Sequence, residues 1–218
     1  GAKAIIVLEN FANTLQKLQP NTSIKHIIST QVGDMLPVPK RWLVNFVIKR
    51  VKKMVPDWSI PNAEPLSAAL QQGRQRELSA VRIKQDDLAF LQYTGGTTGV
   101  AKGAMLSHHN MLSNLEQTNL WISSRFKEAR EIAIAPLPMY HIFCLTSTMA
   151  FMKWGSMTVL ITNPRDMPAF IKELGKWKFS VMTGVNTLFN ALMNTPGFEK
   201  LDFSSLKLSV GGGASVLK

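Results

Sequence analysis

The sequence predicts an α/β protein with a mostly parallel sheet flanked by helices. Short apolar runs rich in β-branched residues alternate with longer stretches of helical character along most of the 218 residues. Strands that alternate with helices are typical of crossover units, whose helices cover both faces of a parallel sheet. Hydrophobic residues make up 45% of the chain and charged residues 18%, which excludes a disordered or coiled-coil protein.

The individual elements follow from these runs in chain order. Strands are predicted at residues 4–8, 24–29, 88–93, 132–135, 157–161, 179–182 and 206–210. Helices are predicted at residues 11–18, 107–119, 142–153, 167–176 and 186–193. Several of these helices begin at a Ser, Asn or Asp, the residue types that cap a first turn.

Residues 30–85 interrupt the alternation and are predicted to form an excursion from the sheet. The segment contains five prolines, and six basic residues lie within 14 residues that contain no acid: Lys40, Arg41, Lys49, Arg50, Lys52 and Lys53. Apolar residues at helical spacing predict a basic amphipathic helix from Trp42 to Val55. Two interpretations stay open: a solvated surface helix, or a helix whose six basic residues contact anionic lipid at the inner face of the cytoplasmic membrane.

Charge and cysteine content narrow the class of protein further. The formal net charge is +11, which attracts anionic partners such as nucleic acid, anionic lipid or phosphorylated small molecules. The sequence contains no recognisable nucleic-acid motif and no interleaved aromatic platforms, which argues against a nucleic-acid partner. The single cysteine, Cys144, excludes a disulfide framework and is typical of a cytoplasmic protein.

The strongest motif is a Gly- and Thr-rich segment directly after the strand predicted at 88–93. Its residues are Tyr93, Thr94, Gly95, Gly96, Thr97, Thr98, Gly99, Val100, Ala101, Lys102, Gly103 and Ala104. The glycines let backbone N–H groups approach an anion, the threonines add hydroxyl donors, and Lys102 supplies a positive charge. The segment is therefore predicted to bind phosphate. A P-loop NTPase motif is excluded because Lys102 is followed by Gly103 instead of Ser or Thr.

Two further motifs follow predicted strands. His141 lies in the segment Pro-Leu-Pro-Met-Tyr-His-Ile-Phe at 136–143, just after the strand at 132–135, and Gly211, Gly212, Gly213 and Ala214 follow the strand at 206–210. Open α/β sheets bind ligands at the carboxyl ends of their strands, so both segments are candidate binding sites. A single histidine in such a loop is more often structural than functional. However, the position of His141 at the end of a predicted strand favours a functional role.

Together, the three segments resemble the motifs of the adenylate-forming superfamily, which contains acyl-CoA synthetases, luciferases and peptide-synthetase adenylation domains. The resemblance extends over essentially all 218 residues. The residues beside the loop, 91–93 and 105–108, are most similar to those of bacterial long-chain fatty-acid–CoA ligases. The resemblance implies that residues 1–218 are a fragment of one AMP-binding N-terminal domain of the acyl-CoA synthetase type, without its C-terminal domain. Later family motifs are then expected beyond Lys218, and the isolated fragment is expected to be inactive.

The resemblance also implies the chemistry and the role of each residue. A fatty carboxylate attacks the α-phosphate of ATP to give acyl-AMP and pyrophosphate, and the CoA thiol then gives acyl-CoA. Thr94 is expected to contact Mg²⁺, and residues 93–104 are expected to bind phosphates. The glycine turn 211–214 is expected to line the adenine and acyl site. His141 is expected to act as the catalytic residue that positions the carboxylate. Two alternatives stay open: activation of a medium-chain or aromatic acid by the same superfamily, or a non-catalytic basic module that binds membrane or nucleic acid.

Overall fold

The computed structural model describes residues 1–94 and 102–213. The chain forms two compact units, Gly1–Val81 and Arg82–Lys218. Each unit has a parallel sheet and a hydrophobic core of its own.

The first unit contains a three-stranded parallel sheet. Its strands are β1 (Ala4–Leu8), β2 (His26–Thr30) and β3 (Ala63–Pro65), in the order β1-β2-β3. Its helices are α1 (Glu9–Leu18), α2 (Lys40–Phe46) and α3 (Leu66–Gly73). The strand β3 lies within the predicted excursion at 30–85, so this segment returns to the sheet. The short sequence Ala-Glu-Pro carries no strand pattern, and its pairing with Ile27 to Ser29 makes it a strand.

The helix α1 holds the first unit together through both of its faces. Its apolar face contributes Ala12 and Leu15 to a buried cluster that also contains Val7, Ile27 and Ile60. Its polar face binds the irregular segment that follows the basic helix. The Asn10 amide donates to the Met54 carbonyl at 3.0 Å, and the Asn13 amide donates to the Asp57 carbonyl at 2.8 Å.

The basic helix is shorter than the sequence predicts. The helix α2 ends at Phe46, a π-helical stretch follows at Val47–Val51, and Lys53 adopts a left-handed φ of 49°. A π-helical stretch breaks the 3.6-residue period, so the predicted continuous apolar face does not form. Val51, predicted on that face, is 64% exposed.

The second unit contains a four-stranded parallel sheet and a two-stranded antiparallel hairpin. The sheet has the order β7-β6-β8-β9, with β6 (Ile132–Ala135), β7 (Met157–Leu160), β8 (Val181–Gly184) and β9 (Leu208–Gly211). The hairpin consists of β4 (Leu88–Thr94) and β5 (Lys102–Ser107). The helices are α4 (His108–Ile122), α5 (Ile142–Lys153), α6 (Met167–Leu174) and α7 (Asn186–Met193).

Helices cover both faces of the four-stranded sheet, which confirms the predicted α/β class. Alternate side chains of the central strands point to opposite faces. Ile134 and Met182 pack in a core with α6 and α7, whereas Ala133 and Val181 pack in a core with Phe151 of α5. Burial on both faces explains why these strands read as continuous apolar runs.

The hairpin strand β5 is absent from the sequence prediction. Its residues Lys102, Gly103 and Ala104 have low strand propensity, so only their pairing with β4 identifies the strand. The chain then enters α4 through a capping box, as the predicted helix start near Ser107 requires. The Ser107 hydroxyl accepts the Asn110 N–H at 3.2 Å, and the Asn110 side chain accepts the Ser107 N–H at 3.0 Å.

A buried ion pair joins the entrances of β6 and β9. The Glu131 side chain is 1% exposed and accepts hydrogen bonds from the Lys127 N–H at 2.7 Å and from Lys207 Nζ at 2.6 Å. Burial raises the pKa of Glu131, but hydrogen bonds from Lys127, Lys207 and Ser180 outweigh it and hold the pKa below its ordinary value. The Lys207 ammonium also lies 5.7 Å from the centre of the Phe126 ring.

Candidate active site

The carboxyl edge of the four-stranded sheet brings two of the three predicted motifs together. The strand β6 ends at Ala135 and leads into the turn that carries His141, while β9 ends at Gly211 and leads into Gly212 and Gly213. The strand β8 ends between them at Gly184. In open α/β sheets this edge is where ligands bind, because it collects loops from several parallel strands.

His141 is held at the start of α5 by its own side chain. It is the N-cap residue, and its Nδ1 accepts the Phe143 N–H at 3.3 Å. In a neutral imidazole, a nitrogen that accepts a hydrogen bond leaves the proton on the other nitrogen. This bond therefore assigns the proton to Nε2. The ring is exposed and presents an N–H donor to a ligand at the sheet edge.

The glycine turn lies directly against the helix that begins with His141. The Gly212 N–H donates to the Gly184 carbonyl at 3.1 Å, and a Cβ added to Gly212 would lie 3.1 Å from the Phe143 ring. Gly213 has a φ of +78°, which an L side chain rarely adopts. Glycine is therefore needed at Gly212 for close approach to Phe143 and at Gly213 for its backbone conformation.

The hairpin carries the described residues of the Gly- and Thr-rich motif. Thr94 pairs with Lys102 and Tyr93 pairs with Gly103, and Ala104 follows in β5. The Thr94 hydroxyl donates to the Lys102 carbonyl at 3.5 Å, and the Tyr93 ring covers Gly103, where an added Cβ would lie 3.3 Å from the ring. A hydroxyl and an ammonium group therefore come from opposed residues at one end of the hairpin. The remaining predicted residues lie outside the described part of the chain: Gly95, Gly96, Thr97, Thr98, Gly99, Val100, Ala101 and Ala214.

Thr94 fits the predicted role of a magnesium ligand. Mg²⁺ prefers oxygen donors, and in nucleotide sites it keeps several waters and phosphate oxygens beside one or two protein ligands. The Thr94 hydroxyl uses its proton toward Lys102 and retains its lone pairs. The Thr94 hydroxyl oxygen is thus a suitable ligand for an ATP-bound Mg²⁺.

Gln92 connects the hairpin to the His141 turn, a contact that the sequence analysis missed. Its Nε2 donates to the Tyr140 carbonyl at 2.8 Å, across a sequence separation of 48 residues. Gln92 and Thr94 lie two residues apart on β4, so their side chains share one face of the hairpin. That alternation is the only signal in the sequence that places Gln92 beside the predicted phosphate-binding residues.

A mostly apolar cavity of about 200 Å³ lies beside the glycine turn, between α4, α5, β8 and β9. It is lined by Thr118, Trp121, Ile122, Phe143, Thr146, Ser147, Ala150, Phe151, Thr183, Leu208 and Val210. Most of these residues are not predicted as site residues by the sequence. Phe143, Ser147 and Ala150 are spaced at i, i+4 and i+7, which places them on one face of α5. This spacing is the sequence pattern that could have identified them as neighbours in one cavity wall.

The predicted lipid-binding residues in the first unit separate into two groups. Lys49 Nζ lies 3.1 Å from Oε2 of Glu9, whose buried carboxylate also accepts from the Gln31 amide at 2.9 Å. Within the described ranges, no salt bridge involves the other five: Lys40, Arg41, Arg50, Lys52 and Lys53. Beside them, Trp42, Leu43 and Phe46 are each more than half exposed. Among residues 1–94 and 102–213, no helix combines the length and the apolar character needed to cross a bilayer.

Comparison with known proteins identifies the family. The chain is 51% identical over 217 residues to a long-chain-fatty-acid–CoA ligase of Salmonella typhimurium, an alignment that covers 99% of this chain and 39% of that protein. It is 31% identical over 215 residues to a long-chain-fatty-acid–CoA ligase of Bacillus subtilis, covering 97% of this chain and 38% of that protein. The chain thus spans about two fifths of the length of these curated relatives.

The fold agrees with a solved structure of an anthranilate CoA ligase in complex with anthranoyl-AMP. The TM-score is 0.73 at 17% identity, over 99% of this chain and 37% of the other. At this identity the likeness supports the fold alone. The family model described as "AMP-binding enzyme" matches residues 1–218, as the resemblance of the three motifs predicts. The chain therefore belongs to the AMP-binding enzyme family.

Proposed function

We propose that this chain provides the adenylate-forming site of a long-chain fatty-acid–CoA ligase, as part of one AMP-binding N-terminal domain of a longer protein. The substrates are ATP, a fatty acid and CoA. The observation that carries the proposal is the convergence at one sheet edge of the His141 turn, the glycine turn and, through the Gln92 to Tyr140 hydrogen bond, the hairpin with Thr94 and Lys102. The 51% identity to a long-chain ligase supports the choice of substrate.

The hairpin would bind the phosphates of ATP. The Lys102 ammonium offers three donors and a positive charge, and Thr94 offers a hydroxyl on the neighbouring strand. Thr94 would hold the Mg²⁺ that accompanies ATP, and this ion would supply charge stabilisation for the pyrophosphate. Gly211, Gly212 and Gly213 carry no side chains, so this turn would present backbone groups to the adenine ring.

His141 would hold the acyl carboxylate against the α-phosphate. A fatty carboxylate is already ionised at neutral pH and needs no general base to attack phosphorus. The exposed Nε2–H of His141 can donate to a carboxylate oxygen and, after the reaction, to the carbonyl oxygen of the acyl-adenylate. The hydrogen bond from the Phe143 N–H to Nδ1 keeps this N–H in place, and the reaction leaves its protonation unchanged.

The cavity beside the glycine turn would receive the hydrocarbon chain of the acid. Its lining is mostly apolar and comes from the same helix, α5, that presents His141 at its first turn. An apolar cavity next to a polar anchor suits a molecule with a carboxylate head and a hydrocarbon tail. We therefore assign acyl-chain selection to the α5 face that contains Phe143, Ser147 and Ala150.

The phosphate assignment is tested by Lys102→Met and Thr94→Val in a chain of the relatives' full length. Lys102→Met removes an ammonium donor for the phosphates, and Thr94→Val removes an oxygen ligand of the accompanying Mg²⁺, so each change should lower kcat for acyl-CoA formation by about 100-fold. The matched control is Lys172→Met, which removes an exposed ammonium on α6 and should leave kcat unchanged. Parental kcat in both hairpin variants would refute the assignment of the phosphates to the hairpin.

The acyl assignment is tested by Ser147→Phe, which fills the cavity from α5. Long-chain acids should lose at least about tenfold in kcat/KM relative to short-chain acids, because their chain then has no room. Met152→Phe is the matched control, since Met152 lies on the same helix and is 68% exposed. Equal losses for long and short acids would contradict this assignment. If the parent enzyme instead prefers an aromatic or medium-chain acid, that acid becomes the proposed substrate in place of a long-chain fatty acid.

We also propose that the protein is cytoplasmic and makes a peripheral contact with the inner face of the cytoplasmic membrane through α2 and the residues after it. Five basic residues without a salt bridge within the described chain lie beside the exposed Trp42, Leu43 and Phe46. Each basic residue near an anionic surface contributes about 1 kcal/mol, and exposed aromatic residues favour the headgroup region. Lys49 contributes less because Glu9 neutralises it.

Vesicle flotation tests this contact. Binding should increase with the fraction of anionic lipid and should fall when Arg50, Lys52 and Lys53 are replaced by Glu. Exchanging Lys49 for Met should change binding far less than any of these replacements. Binding that ignores both lipid charge and the three replacements would refute the membrane contact.

A further inference from the structure

One hydrogen bond spans the space between the hairpin and the His141 turn. Gln92 lies on β4, two residues before Thr94, and Tyr140 is the residue directly before His141. The Gln92 Nε2 to Tyr140 oxygen distance is 2.8 Å, within the range of a well-formed amide bond. The bond therefore links two proposed groups: Thr94, two residues after Gln92, proposed for the phosphate end, and His141, the residue after Tyr140, proposed for the carboxylate.

Packing around this bond is loose, which gives the bond a larger share in fixing the distance between the two segments. A cavity of about 380 Å³ lies between the hairpin and the turn, lined by Phe90, Leu91, Gln92, Tyr93, Met139, Tyr140 and Leu145. Side chains that face an empty space lose contacts on that side. The Tyr140 side chain is 81% exposed and adds little packing of its own.

The turn also has hydrogen bonds of its own. The His141 N–H donates to the Pro138 carbonyl at 2.9 Å, and His141 Nδ1 accepts the Phe143 N–H. These bonds fix the ring relative to the turn but not relative to the hairpin. A shift of the Tyr140 carbonyl would therefore carry the His141 ring with it.

We propose that Gln92 is a positioning residue, which sets the distance of the His141 ring from the hairpin end that carries Thr94 and Lys102. The proposal rests on the adenylation function proposed above. The geometry requires an amide N–H at this reach. Met has similar length but cannot donate, Asn donates but is one methylene shorter, and an ionised Glu would face the Tyr140 carbonyl with a negative charge.

The first test is a double-mutant cycle on the full-length enzyme, using fatty-acid-dependent exchange of labelled pyrophosphate into ATP. Gln92→Met should lower the exchange rate by about 10- to 100-fold, the loss expected when a reacting group is displaced by about 1 Å. In the His141→Ala background the same change should cost less than about twofold, because the group that Gln92 positions is gone. Equal losses in both backgrounds, or full activity of Gln92→Met, would overturn the proposal.

The second test does not depend on activity. The NMR resonances of the His141 ring should shift in Gln92→Met and Gln92→Asn, but not in Gln117→Met, which changes an exposed glutamine on α4. Unchanged His141 resonances in both Gln92 variants would overturn the proposal even if activity falls. A parent enzyme without exchange for any acid would refute the adenylation function, and the resonances would still decide whether Gln92 positions His141.

Discussion

Replacing Lys207 with Met should destabilise the second unit in a pH-dependent way. The change leaves the Glu131 carboxylate, 1% exposed, with the Lys127 N–H at 2.7 Å but without the ammonium at 2.6 Å. Removing one partner of a buried ion pair costs about 3–5 kcal/mol. Lys207 is 38% exposed, so water offsets part of the loss around Glu131. We therefore expect a loss of about 1–3 kcal/mol at pH 7.

The pKa of Glu131 fixes the pH range of this effect. In the folded parent its pKa lies below the ordinary value of 4.5. A carboxyl group with a lowered folded pKa stabilises the protein at pH above its unfolded pKa, and this stabilisation is lost as the pH falls through the folded pKa. The difference between the parent and Lys207→Met should thus be largest near neutral pH, should shrink as the pH falls below the ordinary pKa, and should be lost below the lowered folded pKa, where Glu131 is protonated in both proteins.

Native-state hydrogen exchange of the β6 amides is the suitable assay, because it reports the opening free energy of the second unit alone. Glu131→Gln, which removes the charge from the other side, should show the same pH trend. Lys172→Met, at an exposed lysine of the same unit, should show neither the loss nor the trend. A Lys207→Met loss of equal size in neutral and acidic buffer would refute the ion-pair explanation.

Three further substitutions test the packing around the site. Gly213→Ala should cost about 1–2 kcal/mol, measured as a lower thermal midpoint, because its φ of +78° is unfavourable for Ala. Gly184→Ala should cost about 1–3 kcal/mol in the same assay, since its Cβ would lie 2.9 Å from the Phe189 ring; an unchanged midpoint would mean that the ring moves freely. Leu192→Ala should cost about 2–5 kcal/mol by urea denaturation because Leu192 is fully buried, while Met193→Ala, 68% exposed, should cost less than about 0.5 kcal/mol.

The second unit was largely predictable from the sequence because its strands are buried on both faces. The segments predicted at 132–135, 142–153 and 186–193 match β6, α5 and α7 residue for residue. Their apolar runs are bounded by Pro, Gly and capping residues, so local pattern and tertiary burial agree. The contact between Gly212 and Phe143, two residues after His141, agrees with the rule that loops after parallel strands meet at one edge.

Elements that depend on a distant partner were not predictable. The strands β3 and β5 have weak strand sequences and exist through pairing with β2 and β4. The basic helix looks continuous in the sequence, yet its period breaks at the π-helical stretch. Contacts such as Lys49 with Glu9, 40 residues apart, and Gln92 with Tyr140, 48 residues apart, leave no trace in local periodicity.

The most direct test of the central claim is fatty-acid-dependent exchange of labelled pyrophosphate into ATP by a full-length protein that carries this sequence. The exchange needs only the adenylation step and is independent of CoA. We predict exchange with long-chain acids, reduced about 100-fold by Lys102→Met and unaffected by Lys172→Met. Absence of exchange with every carboxylic acid, from a folded protein that binds ATP and Mg²⁺, would contradict the assignment of this sheet edge as an adenylation site.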